Sequence, residues 1–111
     1  MNLAKGLRLL AAVLLLFTGV AHSVMAVVTT QSAMAPGLAL FGVLYFVLGI
    51  GLFAGRRVFN YLGIVVPIVG LVVGMYAYFT VSPEPVILSL AAIDVAIVLC
   101  CGYLTPHETF E

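Results

Sequence analysis

The chain has 111 residues, 65% of them hydrophobic and 7% charged, against about 45–50% and about 25% in a typical soluble domain. A water-soluble fold of this length buries only about two-thirds of what its chain exposes, too little to hide so much apolar surface, so that class is excluded. Four Lys/Arg against four Asp/Glu leave no basic footprint for a nucleic acid, and two adjacent cysteines, Cys100 and Cys101, build neither a disulfide framework nor a zinc site.

What remains is a small integral membrane protein. A bilayer core about 30 Å thick takes about 20 apolar residues of helix, and the chain offers four such runs. Residues 9–28 are interrupted only by Thr18, His22 and Ser23. Residues 37–54 and 58–81 carry no charge, and residues 86–104 carry one, Asp94. Lipid cannot satisfy an open backbone, and no period-two alternation marks barrel strands, so each run is read as a helix. Ala35-Pro36-Gly37 opens the second run, with proline well placed in a first turn. Gly55-Arg56-Arg57 separates the second run from the third. Ser82-Pro83-Glu84-Pro85 is read as a rigid turn, and Thr105-Pro106 as the end of the last helix. All three connections are short, so the expected architecture is a single all-α domain over residues 1–111, an up-down-up-down bundle of four transmembrane helices.

Residues 1–26 also show a basic start, an apolar stretch and the small-residue ending Val24-Met25-Ala26, the outline of a cleaved signal peptide. The apolar run continues past that point to Val28, long enough to span, which favours a retained first helix. With four crossings, Lys5, Arg8, Arg56 and Arg57 all fall on one side. The excess of cations there predicts cytoplasmic N- and C-termini.

Asp94 is the most informative residue. It falls near the middle of the fourth run, where a carboxylate costs about 2.5–3.5 kcal/mol on insertion scales and must face the bundle or a cavity. Counting 1.5 Å per residue from the opposite ends puts His22 about 9 Å deep, Asp94 and Tyr45 about 12 Å, Thr18 about 15 Å and Tyr76 about 8 Å. These five side chains are expected to form one polar layer, either a proton- or cation-handling relay or a set of groups that satisfy one another and fix helix register. Gly19 shares a face with His22, and Gly42 and Gly49 share one with Tyr45. Gly63, Pro67, Gly70 and Gly74 run along one side of the third helix. These are read as helix-packing positions. Gly70-x-x-x-Gly74 is a small-x-x-x-small pattern, and Pro67 is expected to kink its helix or free a carbonyl.

Adjacent helical positions point about 100° apart, so Cys100 and Cys101 do not form one site. They are read as small apolar residues with a chance of palmitoylation. His107, Glu108 and Glu111 are read as a short solvated tail. A shift of 49 residues lays Pro36 on Pro85, Gly42 on Ala91 and Tyr45 on Asp94, a faint sign of a doubled hairpin. No nucleophile elbow, zinc-protease helix, phosphate loop or dinucleotide fingerprint is present, so no enzyme, no metal site and no cofactor is expected.

Size and helix count resemble the small multidrug resistance transporters. That family's first-helix carboxylate has no counterpart here, where the first run holds His22 and neither Asp nor Glu. The layout is also similar to DoxX-type four-helix membrane proteins: Arg8 precedes an apolar first helix with a Thr18-Gly19 pair, and a Gly-rich second helix ends at an arginine. Neither resemblance carries a functional residue onto this chain.

The functional expectation is a non-catalytic accessory or structural subunit. It packs laterally in the bilayer beside other membrane-protein subunits or copies of itself. The alternative is a small proton-coupled transporter or channel built on Asp94, His22 and Tyr45. A third reading is a cofactor-bearing subunit with His22 as an axial ligand.

Overall fold

In lipid a helix satisfies its own backbone, and the described residues of the computed structural model form four of them: α1 (Leu3–Val28), α2 (Ala35–Phe53), α3 (Arg57–Thr80) and α4 (Pro85–His107). The structure describes residues 3–28, 35–80 and 85–107; the segments around Thr29 and Ser82, and the tail residues Glu108 and Glu111, lie outside that range. All four helices are long and apolar enough to cross a membrane. The Cα envelope measures 43 × 21 × 19 Å. Its long axis matches the roughly 40–45 Å of a bilayer with its interfacial regions.

Two boundaries differ from expectation. The first helix begins at Leu3, not near residue 9, and so carries Lys5 and Arg8 in its opening turns. Poly-apolar sequence marks where lipid lies, but a helix needs no lipid to continue, and long basic side chains snorkel from its end. The fourth helix does not stop at Thr105-Pro106 but runs through His107. Proline there removes a single N–H. Thr105 Oγ1 donates to the Cys101 carbonyl at 3.0 Å. His107 Nδ1 bonds the Tyr103 carbonyl at 2.9 Å, and its ring stacks on that of Tyr103 at 4.2 Å. These contacts hold the last turn, so His107 belongs to the helix and not to a free tail.

The α2–α3 connection shows how the chain reverses within three residues. Gly55 takes φ +82°, a conformation natural to glycine. Its N–H bonds the Leu52 carbonyl, and the Arg56 N–H bonds that of Gly51, the double bond of a Schellman cap. From α1, Arg8 Nη1 donates to the carbonyls of Leu52 at 3.0 Å and Phe53 at 2.8 Å. A cation thus sits on the negative end of the α2 dipole and on acceptors the helix itself leaves open.

Each helix touches two neighbours, closing a ring in the order α1, α2, α3, α4, with α1/α2 the tightest pair and α2/α3 the loosest. The buried faces follow a 3-4 spacing. In α4 they are Ile87, Leu90, Asp94, Ile97, Cys101 and Leu104. In α2 Gly42, Tyr45, Gly49 and Leu52 repeat the pattern, and in α3 Asn60, Gly63 and Pro67 do so. That is the seam of near-antiparallel packed helices. The α1/α2 contact is built on small residues. A Cβ at Gly19 would lie 2.7 Å from the Phe46 nitrogen, one at Gly42 would strike Ser23 Oγ, and one at Gly49 would lie 2.8 Å from Leu16 Cγ. Backbones approach this closely only where side chains are missing.

Candidate functional site

The 3-4 seam of α4 places Asp94 inward, 3% exposed. Three other helices supply what faces it. On α1, Thr18 and His22 are one turn apart and share the buried face. His22 Nδ1 lies 2.7 Å from the Thr18 carbonyl and 3.2 Å from its hydroxyl. A carbonyl only accepts, so we assign the ring proton to Nδ1, which leaves Nε2 as the acceptor of the neutral ring.

On α2, Tyr45 is fully buried. Its ring centroid lies 5.0 Å from that of His22 and 5.9 Å from that of Phe41, and the His22 and Phe41 rings are 6.5 Å apart. Such tilted, offset aromatic contacts contribute about 0.5–1.5 kcal/mol each beyond area burial. On α3, Gly70 stands where the Tyr45 hydroxyl arrives; a Cβ there would overlap it. The hydroxyl comes within interaction range of Asp94. Yet Tyr45 Oη and Asp94 Oδ1 are both buried without a hydrogen bond of normal geometry. One residue from each helix therefore meets at a single level: His22, Tyr45, Gly70 and Asp94, with Tyr45 packed on His22 and Gly70 and its hydroxyl within interaction range of Asp94.

This arrangement differs from simple depth counting in two ways. No hydrogen bond or ion pair joins His22 directly to Asp94, because the Tyr45 side chain reaches both while His22 turns back to its own helix at Thr18. Tyr76 does not join the layer and is 69% exposed. Depth says nothing about face: Tyr76 is two residues, about 200°, around the helix from Gly74, so it points outward from the bundle.

The small-residue stripe on α3 has mixed surroundings. Gly63 backs onto Cys101 Sγ, 2.9 Å from where its Cβ would lie, and Pro67 is buried. Pro67 sits inside a helix that continues from Arg57 to Thr80, and it withholds the N–H that would bond the Gly63 carbonyl. Gly70 and Gly74 do not seat a neighbouring backbone. The first meets side chains of Tyr45 and Phe41, and the second has only Ile87 Cγ2 at 3.8 Å. Those two rings hold α2 off α3, and the space left is a cavity of about 210 Å³ lined by His22, Phe41, Gly70 and Gly74 among others. It is smaller than the roughly 300–1,000 Å³ of drug-sized ligand sites.

Sequence reasoning missed Asn60. It is fully buried and donates from Nδ2 to the Cys101 carbonyl at 3.2 Å and to Thr105 Oγ1 at 3.1 Å, tying α3 to α4. Its Oδ1 has no partner. The signal was present: Asn60 is the only amide in residues 58–81, and an amide in lipid must find partners. Among the described residues no group of three or more His, Cys, Asp or Glu side chains comes together as a metal site.

No curated protein and no solved structure matches this chain. A family model does, over residues 20–103, a span that contains His22, Tyr45, Asn60, Gly70 and Asp94. The four apolar helices and that match agree: the chain is an integral membrane protein and belongs to the family described as "Predicted membrane protein (DUF2127)".

Proposed function

We propose that this protein is a non-catalytic membrane subunit that packs laterally against other subunits or against copies of itself. The observation that carries this reading is the bareness of α3. Only 17% of its most apolar stretch is buried, against 33% in α1 and in α2. Its outer face presents Val58, Tyr61, Val65, Ile68, Val72 and Tyr76. Helices associate in lipid through packing and buried polar contacts, and α3 has unused surface for the first while the polar layer supplies the second internally. In this reading Asp94 and Tyr45 lock the two hairpins in register.

Native mass spectrometry of the protein gently extracted from its own membrane tests the proposal. Reproducible association with further subunits or copies is expected, and Asp94→Asn weakens that assembly without creating or abolishing any flux. A lone monomer under every extraction condition overturns it. The cations at the α1 start and the α2–α3 turn support cytoplasmic termini in a cell membrane, which sided cysteine labelling near residue 5 would test.

One observation favours a second reading, a small proton-coupled transporter: the cavity borders His22, and Tyr45 continues from His22 to Asp94. Proton-driven flux in liposomes that Asp94→Asn abolishes at unchanged expression would favour it over the first.

A further inference from the structure

The cavity between α1, α2 and α3 is walled by apolar and small groups: Leu38, Phe41, Gly70, Val73, Gly74 and Ala77. One polar side chain enters that wall. His22 is 9% exposed, and its Nδ1 is committed to Thr18. Nε2 makes no hydrogen bond among the described residues, and it is not among the fully enclosed orphan atoms. The small exposure His22 retains is therefore toward the cavity it lines. A hydrogen-bond acceptor with no partner, at the edge of an apolar space, defines the ligand that fits: an apolar body carrying one donor.

The walls narrow the choice further. Phe41 and His22 are the aromatic members of the lining, their tilted rings 6.5 Å apart, and exposed ring edges and faces favour an aromatic neighbour packed edge-on or offset. Gly74 keeps the opposite side clear, and the loose α2/α3 pair is the side by which a molecule would enter. A volume of about 210 Å³ accommodates a small ring or the end of a larger molecule. We propose that this cavity is a binding site for a small hydroxylated aromatic molecule or head group, its ring against Phe41 and its hydroxyl donating to His22 Nε2. The site stands independently of whether α3 packs against a partner.

The test uses the full chain in lipid nanodiscs with 15N-labelled histidine, 4-methylphenol as probe and toluene as the same ring without a donor. Binding of 4-methylphenol is expected to move the His22 Nε2 resonance saturably and leave Nδ1 in place, with toluene binding at least tenfold more weakly. Gly74→Leu fills the cavity at a position where a Cβ meets only an ordinary contact, and is expected to abolish the shift while the Nδ1 resonance reports an intact fold. If that variant does not fold, Ala77→Leu fills the same wall. Equal affinity for toluene, an unmoved Nε2 resonance at saturation, or unchanged binding in a folded cavity-filled variant overturns the proposal. A long-chain 4-alkylphenol dissolved in the nanodisc lipid distinguishes the source. If it outcompetes 4-methylphenol the natural ligand comes from the bilayer, and if it does not bind while 4-methylphenol does, the ligand comes from water.

Discussion

The Tyr45 hydroxyl occupies the space that a side chain on Gly70 would fill. That substitution of a hydroxyl on α2 for a methyl on α3 is what lets one side chain cross the bundle to Asp94 on α4. Tyr45 belongs to a helix that touches neither α4 nor the far side of the ring by its backbone, so its length and the glycine opposite are jointly required.

Gly70→Ala should therefore destabilise the bundle by about 1–3 kcal/mol, the usual range for an extra methyl in a filled core. Tyr45→Phe removes the obstructing oxygen and should recover much of that loss. Reversible unfolding in mixed detergent, run as a double-mutant cycle, measures the coupling. Additive effects would mean that the two residues do not share the space.

Glycines in this chain are expected to divide sharply. Gly19→Val and Gly42→Val press a side chain onto the partner backbone of the α1/α2 hairpin and should each cost about 3 kcal/mol or more, since a backbone cannot move aside as a side chain can. Gly102→Ala meets nothing within 4 Å and should be neutral or stabilise by up to about 1 kcal/mol through helix propensity. Thermal melts of the three variants in one detergent compare them directly.

Arg8→Gln should loosen the end of α2. The carbonyls of Leu52 and Phe53 lose their charged donor, and the helix dipole loses its cation, together about 1 kcal/mol in a partly exposed setting. Hydrogen exchange at the amides of residues 54–56 should quicken by about fivefold to tenfold while exchange in α4 stays unchanged. Equal protection in both proteins would show that the Schellman bonds of Gly55 and Arg56 suffice alone.

Asn60→Ala should cost only about 1 kcal/mol despite full burial. Interhelical hydrogen bonds within membranes average about 0.6 kcal/mol, and the Cys101 carbonyl keeps Thr105 as a second donor. Removing both donors in Asn60→Ala with Thr105→Ala should cost more than the sum of the single changes. Equilibrium unfolding of the four proteins supplies the comparison.

Much of the architecture is legible without coordinates. Four runs near 20 apolar residues, broken at Pro36, Gly55 and Pro85, are enough to place four helices, because the bilayer admits so few alternatives. Helix ends were less legible. Leu3 and His107 lie outside the apolar runs, where side chains such as Thr105 and His107, and not lipid, decide whether the last turn persists. Within the candidate site, Asp94 announced itself by its charge and His22 by its isolation. Asn60 was passed over because an uncharged amide barely interrupts an apolar run.

Sequence alone determined the solvent and the number of helices long enough to cross it, since hydropathy marks the apolar runs and a fixed rise per residue measures their length. Rotation about each helix axis was decided only by tertiary packing. In water a polar face would mark the outside of a helix, but lipid tails and the protein core are equally apolar, so no such face separates Tyr45 from Tyr76. The choice was made by where small residues permit contact: Gly42 and Gly49 turn Tyr45 inward, Gly70 leaves room for its hydroxyl, and His22 on α1 and Asp94 on the neighbouring α4 both face it.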